Sequence, residues 1–112
     1  MVNDRGAVVI ADVRNGGAMP GLSLDVCVEV PARFTKDRVE TLPVAPIPLS
    51  VRGLVQTVKA YEELTIEAAI TGDRSTAIAA LVANPLISSY QKAEAFFERA
   101  LGEEQTFLAQ FL

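Results

Sequence analysis

Tyr61, Glu62, Glu63 and Glu67 stand within one stretch, LVQTVKAYEELTIEAAITGD (54–73), a density of ionisable side chains that invites an acid–base reading. A catalytic carboxylate pair must face a cleft and have its two pKa values pushed apart by burial and neighbours. Helical spacing points elsewhere. Leu54, Val58, Tyr61, Thr65 and Ala68 recur at steps of three and four, with Val55 and Leu64 beside them, and define an apolar stripe. Glu62 and Glu63 lie mostly opposite that stripe, with Lys59 three and four residues earlier as an ion-pair partner. A solvated outer face is therefore expected for both. Glu67, at the stripe edge, is expected in a structural ion pair.

A second candidate is the loop NGGAMPG (15–21), because glycine loops with exposed N–H groups cradle anions. A dinucleotide fingerprint, however, needs G-x-G-x-x-G between a strand and a helix, and this loop has other spacing and leads toward a strand. A phosphate-binding loop of the nucleotide-hydrolase type needs a following lysine and hydroxyl residue, which are missing. A plain turn is the expectation, with an anion-binding role the weakest functional reading. Cys27 alternates with strand residues and is expected as a small core or interface residue. The sequence contains no histidine, which removes the commonest general base and the commonest metal ligand together. No catalytic, cofactor-binding or metal-ligating residue is assigned in this chain.

The elements that would position these residues are read as follows. A chain of 112 residues suits one domain, with residues 1–31 a strand pair and its Gly/Pro loop, 32–49 a proline-rich excursion and 50–112 helical. GAVVIADVR (6–14) is an almost continuous apolar run, as in a strand covered on both faces. LDVCVEV (24–30) alternates, placing Leu24, Val26, Val28 and Val30 on one face; Pro31 is expected to end it. In 32–49 the charged first half reads as an exposed excursion, and Pro43, Pro46 and Pro48 forbid helix through the second. Ser50 is the expected cap of the first helix, with Gly72 closing it and Asp73 capping the next. That next helix, RSTAIAALVAN, is apolar nearly all round and is expected to be buried, ending at Asn84-Pro85. Ser88 and Gln91 have capping-box spacing for a third helix, stopped by Gly102, and EEQTFLAQFL is read as a short terminal helix. The fold expected is α+β, with two or three strands packed on a bundle of three to four helices.

Composition limits the partners. Half of the residues are hydrophobic and 21% charged, too apolar for a disordered tail and suggestive of a covering partner. A net charge of −4 supplies no basic footprint for nucleic acid. No apolar run approaches the ~20 residues of a membrane span. No secretion signal is read at the amino terminus, and a single cysteine suits a reducing compartment, so a cytoplasmic location is expected.

Several segments resemble the carboxyl-terminal part of the family-4 glycoside hydrolases, and within them the 6-phospho-β-glucosidases: RNGGAMPGLSLDVCVEVPA (14–32), LPVAPIPLSVRGLVQTVKAYEELTIEAAITGDRSTAIAALVANPL (42–86) and FLAQF (107–111). Asn15, Gly17, Pro20 and Leu22 fill the family's N-x-G-x-I-P-x-L pattern, with Met19 replacing the usual isoleucine. Val28, Glu29, Val30 and Pro31 fill V-V-E-V-P, and Lys59 to Asp73 fill V-K-A-Y-E-x-L-x-x-E-A-A-x-x-G-D. The charged insertion RFTKDRVET is a second departure. The resemblance implies a substrate-side domain like that of lactate and malate dehydrogenases. It implies a longer parent enzyme that cleaves 6-phospho-glycosides with NAD and a divalent metal, usually manganese, outside the two-carboxylate scheme. In that family the cofactor transiently oxidises the sugar, a tyrosine base removes the acidified proton, and elimination is followed by addition of water. The family's dinucleotide motif, metal-ligand cysteine and histidine, and tyrosine base fall upstream of the matched segments; Cys27 and Tyr61 do not match them. The expectation is a substrate-side and assembly domain, incomplete as a catalyst alone, with Asn15 and Gly17 as the residues that line substrate. Its expected partners are further copies of itself or an amino-terminal NAD-binding half, and a phosphorylated sugar in the intact enzyme. The alternative is a free-standing interaction module derived from that enzyme.

Overall fold

The computed structural model describes residues 6–87 and 89–112. The chain divides into two compact units, residues 1–52 and 53–112.

The first unit is a three-stranded antiparallel sheet in the order β1 (Ala7–Arg14), β2 (Cys27–Phe34), β3 (Val39–Thr41). β1 and β2 pair from Ala7↔Phe34 to Arg14↔Cys27. The alternation read from the sequence sets the faces: Val26, Val28, Val30 and Ala32 are buried, whereas Asp25, Cys27 and Glu29 are exposed. Val13, Met19, Leu22 and Val44 pack against that buried row. The Val44 N–H donates to the Ala18 carbonyl at 2.8 Å, which fastens the extended proline-rich stretch to the loop after β1.

Several expectations for this half are corrected. β1 is not covered on both faces: Val8, Val9 and Ile10 are 51%, 49% and 60% exposed, because no element among the described residues packs over its first half. Leu24 does not share the buried row; it is exposed, in the loop before β2. Pro31 does not end β2, which runs to Phe34. The Pro31 carbonyl accepts from Leu42 N–H at 2.9 Å, and in an antiparallel strand a residue's nitrogen and carbonyl face the same neighbour. Its missing donor therefore faces the Leu42 side, one step beyond the last β2–β3 pair (Ala32↔Thr41), and removes no bond to β1. The charged excursion is a β2–β3 hairpin. Its turn is closed by Thr35 N–H to the Arg38 carbonyl at 3.0 Å and by Arg38 N–H to Thr35 Oγ1 at 3.1 Å.

The second unit contains the body of α1 (Leu49–Thr71), then α2 (Arg74–Ala83), α3 (Tyr90–Glu103) and a 3₁₀ turn at Ala109–Phe111. Ala68, Ile78, Ala93, Phe97, Leu101 and Phe111 form its core, with Ala77 at the edge. Phe97 and Phe111 meet edge to face, ring centroids 5.4 Å apart, and the Arg74 guanidinium lies 5.4 Å from the Phe97 ring centre. The α1–α2 corner follows the expected chemistry. Gly72 takes φ +70° and its N–H donates to the Ala68 carbonyl at 2.8 Å. Asp73 accepts from Thr76 N–H at 2.7 Å and caps α2.

Corrections here are small shifts. α1 begins one residue before Ser50; the Pro48 carbonyl accepts from Val51 and Arg52 N–H, so Ser50 sits within the first turn and is not the cap. The inward face of α1 is Val55, Val58, Tyr61, Leu64 and Ala68, while Leu54 (57%) and Thr65 are exposed. α2 buries Ala77, Ile78 and Ala80 but exposes Ala79 and Val82, so it is covered on one side only. α3 runs through Gly102 to Glu103. Ser88 lies outside the described residues; Ser89 Oγ accepts from Lys92 N–H at 3.3 Å and caps α3. The α+β expectation holds, with three strands and three α-helices among the described residues. Among the described residues no helix is long and apolar enough to cross a membrane.

Candidate functional site

The loop between β1 and β2 is built around Asn15, which is fully buried. Its backbone N–H donates to Val26 at 2.9 Å, continuing the β1–β2 ladder by one step. Its side chain then gathers the loop. Nδ2 reaches the carbonyls of Met19 (3.1 Å), Leu22 (3.3 Å) and Ser23 (2.9 Å), and Oδ1 accepts from Met19 N–H at 2.7 Å. Two amide hydrogens serve three carbonyls, so one is shared. Asparagine alone supplies both donors and acceptor in one small planar group; aspartate has no donor and glutamine is longer.

The other loop amides also turn inward. Gly16 N–H donates to the Leu24 carbonyl at 2.9 Å and Ala18 N–H to the Asn15 carbonyl at 2.8 Å. Three of the loop's donors (Gly16, Ala18 and Met19) are thus spent inside the loop and are not available to cradle an anion. Gly17 is the exposed crest, at φ +94°, a conformation in which an L side chain is strained. At the base Arg14 and Asp25 form an ion pair, both side chains largely exposed, which contributes little to stability.

The helical candidates are not brought together as a site. Glu62 pairs with Lys59, Glu63 and Glu67 are exposed, and the Glu67 carbonyl accepts from Thr71 Oγ1 at 2.9 Å. The solvated-face expectation describes Glu63; Glu62 is half-covered but ion-paired, as Lys59 suggested. Glu67 makes no ion pair among the described residues, which corrects its expected role. Tyr61 is half-buried on the wall of a pocket of about 250 Å³ lined by Ala68, Phe96, Phe97, Ala100 and Leu108, apolar almost throughout. That pocket is a packing crevice between helices. Cys27 is exposed, which overturns the core half of its expectation. The sequence reading missed the hub role of Asn15; its only signal was a small amide placed directly after a strand and before two glycines.

The arrangement defines an α+β domain whose chemistry-bearing loop is organised for shape, with no assembled nucleophile, base and orienter among the described residues. The pattern of the family 4 glycosyl hydrolase C-terminal domain matches residues 1–87, and this chain belongs to that family. It is 37% identical over 109 residues, 97% of its length, to a probable 6-phospho-beta-glucosidase of Bacillus subtilis, and covers 25% of that protein. It is 30% identical over 105 residues to the 6-phospho-beta-glucosidase BglT of Thermotoga maritima, again covering 25%. Among solved structures, a 6-phospho-alpha-glucosidase from gut microorganisms in complex with NAD and glucose-6-phosphate superposes with a TM-score of 0.89 at 30% identity, over 94% of this chain and 24% of that one. The Thermotoga maritima enzyme with manganese, NAD+ and glucose-6-phosphate gives 0.83 at 30% identity, over 93% of this chain and 26% of that one. The chain thus spans about a quarter of the length of these relatives.

Proposed function

We propose that this chain acts as the substrate-side and assembly domain of a 6-phospho-glucosidase and reaches activity only together with the remaining three quarters of such an enzyme. The observation that carries this reading is the match itself: nearly the whole chain aligns to a quarter of a probable 6-phospho-beta-glucosidase and of the 6-phospho-beta-glucosidase BglT. The relatives solved with NAD and manganese suggest the cofactors of the intact enzyme. This chain's own residues do not fit either group. Among the described residues no three Asp, Glu or Cys side chains converge as metal donors, and the sequence has no histidine. The glycine loop passes into strand β2 and not onto a helix N-terminus, where a pyrophosphate would sit. No chemical step is therefore assigned to this chain.

The role left to it is positioning. In this reading the β1–β2 loop borders the sugar phosphate, with Asn15 holding the loop's shape and Gly17 presenting backbone at its crest. Assembly of the intact enzyme, with further copies or with its amino-terminal half, covers part of the apolar surface that the chain leaves exposed. A single cysteine and a phosphorylated substrate suit a cytoplasmic setting. The test is turnover of 4-nitrophenyl 6-phospho-β-glucoside and its α-anomer with NAD and manganese. The expected result is no turnover by the chain alone and turnover once the amino-terminal three quarters of the Bacillus subtilis relative are supplied. Turnover by the chain alone overturns the reading.

A further inference from the structure

The first half of β1 is apolar on both faces and covered on neither. Val8 and Ile10 lie on one face and Ala7 and Val9 on the other, and all four are exposed, Val8, Val9 and Ile10 by about half or more. The rest of the strand behaves differently. Ala11 and Val13 are partly buried on the face they share with Val28 and Val30, and Asp12 and Arg14 are polar on the other. Across the sheet Ile10 stands opposite Pro31, and Val8 opposite Arg33, whose long stem also offers apolar surface. The patch lies at one end of the sheet: the apolar row on the Ala7 side continues across Phe34 to Val39 of β3, which is 47% exposed.

Edge strands in finished proteins are blunted by lysine, proline, bulges or short length. β1 is eight residues long, carries none of these in AVVI, and pairs with β2 in unbroken register. Its composition suits a strand seated among other elements. The position of the patch says which elements. The matched domain is the C-terminal one, so the relatives' other three quarters precede it, and their polypeptide approaches the sheet at the start of β1.

Resting on the function proposed above, we infer that the Ala7–Ile10 half of β1 is the docking surface for the amino-terminal three quarters of the enzyme. A second copy of this chain is the competing occupant, and the experiment below separates the two. The apolar exposure is greatest at the end of β1 nearest that entry point and has given way to Asp12 and Arg14 by the strand's end, as expected of a surface covered by polypeptide that enters there.

The experiment mixes the chain with the amino-terminal three quarters of the Bacillus subtilis relative and measures the affinity together with backbone amide exchange. Ile10→Lys is compared with Val82→Lys, both at exposed positions, with circular dichroism to show that each variant keeps its fold. A lysine forced under an apolar cover without a partner is expected to weaken the complex roughly tenfold or more, with Val82→Lys unchanged and residues 7–10 protected in the complex. Equal affinity for the two variants overturns the inference, as does a dimer of the chain alone that protects the same amides. Turnover by the wild-type mixture reports on the proposed function separately: an active mixture with an indifferent Ile10→Lys sinks only the docking surface.

Discussion

Asn15 and Met19 satisfy each other in both directions: Nδ2 donates to the Met19 carbonyl at 3.1 Å and Oδ1 accepts from the Met19 N–H at 2.7 Å. The pair closes the loop that the family pattern marks, and the same amide reaches the Leu22 and Ser23 carbonyls. Truncation by Asn15→Ala strands these groups in a site with no exposure and is expected to cost about 2–4 kcal/mol in urea unfolding. Asn15→Asp keeps the Met19 bond but sets a carboxylate against three carbonyls. It is expected to be at least as damaging, and faster proteolysis of residues 15–25 would locate the loss in the loop.

Gly72 is required twice over. Its φ of +70° is one an L side chain rarely adopts, and a β-carbon there would overlap the Gln110 carbonyl oxygen and stand 3.1 Å from its carbon. The terminal segment therefore lies directly on the α1–α2 corner. Gly72→Ala is expected to lose at least about 2–3 kcal/mol, since neither the strain nor the backbone overlap is relieved by a rotamer change. If the substitution shifted the urea midpoint no more than Gly53→Ala, where no atom stands within 4 Å of an added β-carbon, this account of the corner would be wrong.

Asp73 caps α2, and hydrogen bonds from Ser75 and Thr76 hold its carboxyl down from 3.8 to about 2. The folded value lies below the unfolded one, so the contribution is complete above about 4 and is lost as the pH falls toward 2. Asp73→Asn keeps an accepting oxygen but does not titrate. The melting-temperature difference between the wild type and Asp73→Asn is expected to shift against the wild type through that acidic window. A constant difference would show that the cap's proton affinity is the same folded and unfolded.

What could be read without coordinates was what is local. The β2 row Val26, Val28, Val30 announces itself by period two, and Gly72-Asp73 by the adjacency of a helix stop and a helix start. The larger misreadings needed a neighbour, whereas those at Ser50 and Gly102 are shifts of a helix end by a residue or two. Whether AVVI in β1 is covered depends on polypeptide from elsewhere, and whether Pro31 breaks a strand depends on which side its nitrogen faces. Leu54 satisfied the helical spacing and still lies outside, because spacing defines an angular sector and packing decides its edges. The family pattern points to Asn15 as lining substrate; that its amide is committed to carbonyls four to eight residues ahead is a property of the folded loop.

Phe96 and Phe97 are adjacent in sequence and opposite in consequence. Phe97 is 6% exposed, edge to face with Phe111 and beneath the Arg74 guanidinium, which also pairs with Glu98. Phe96 is 59% exposed at the mouth of the apolar crevice. Removing the Phe97 ring deletes core volume and both of its ring contacts, so Phe97→Ala is expected to cost about 3–5 kcal/mol. Phe96→Ala removes a ring that water already reaches and is expected to cost under about 1 kcal/mol in the isolated chain. If Phe96→Ala proves neutral alone but weakens the complex with the amino-terminal three quarters, the crevice joins β1 as a second covered surface. If it proves as costly as Phe97→Ala in the chain alone, the packing of α3 described here is wrong.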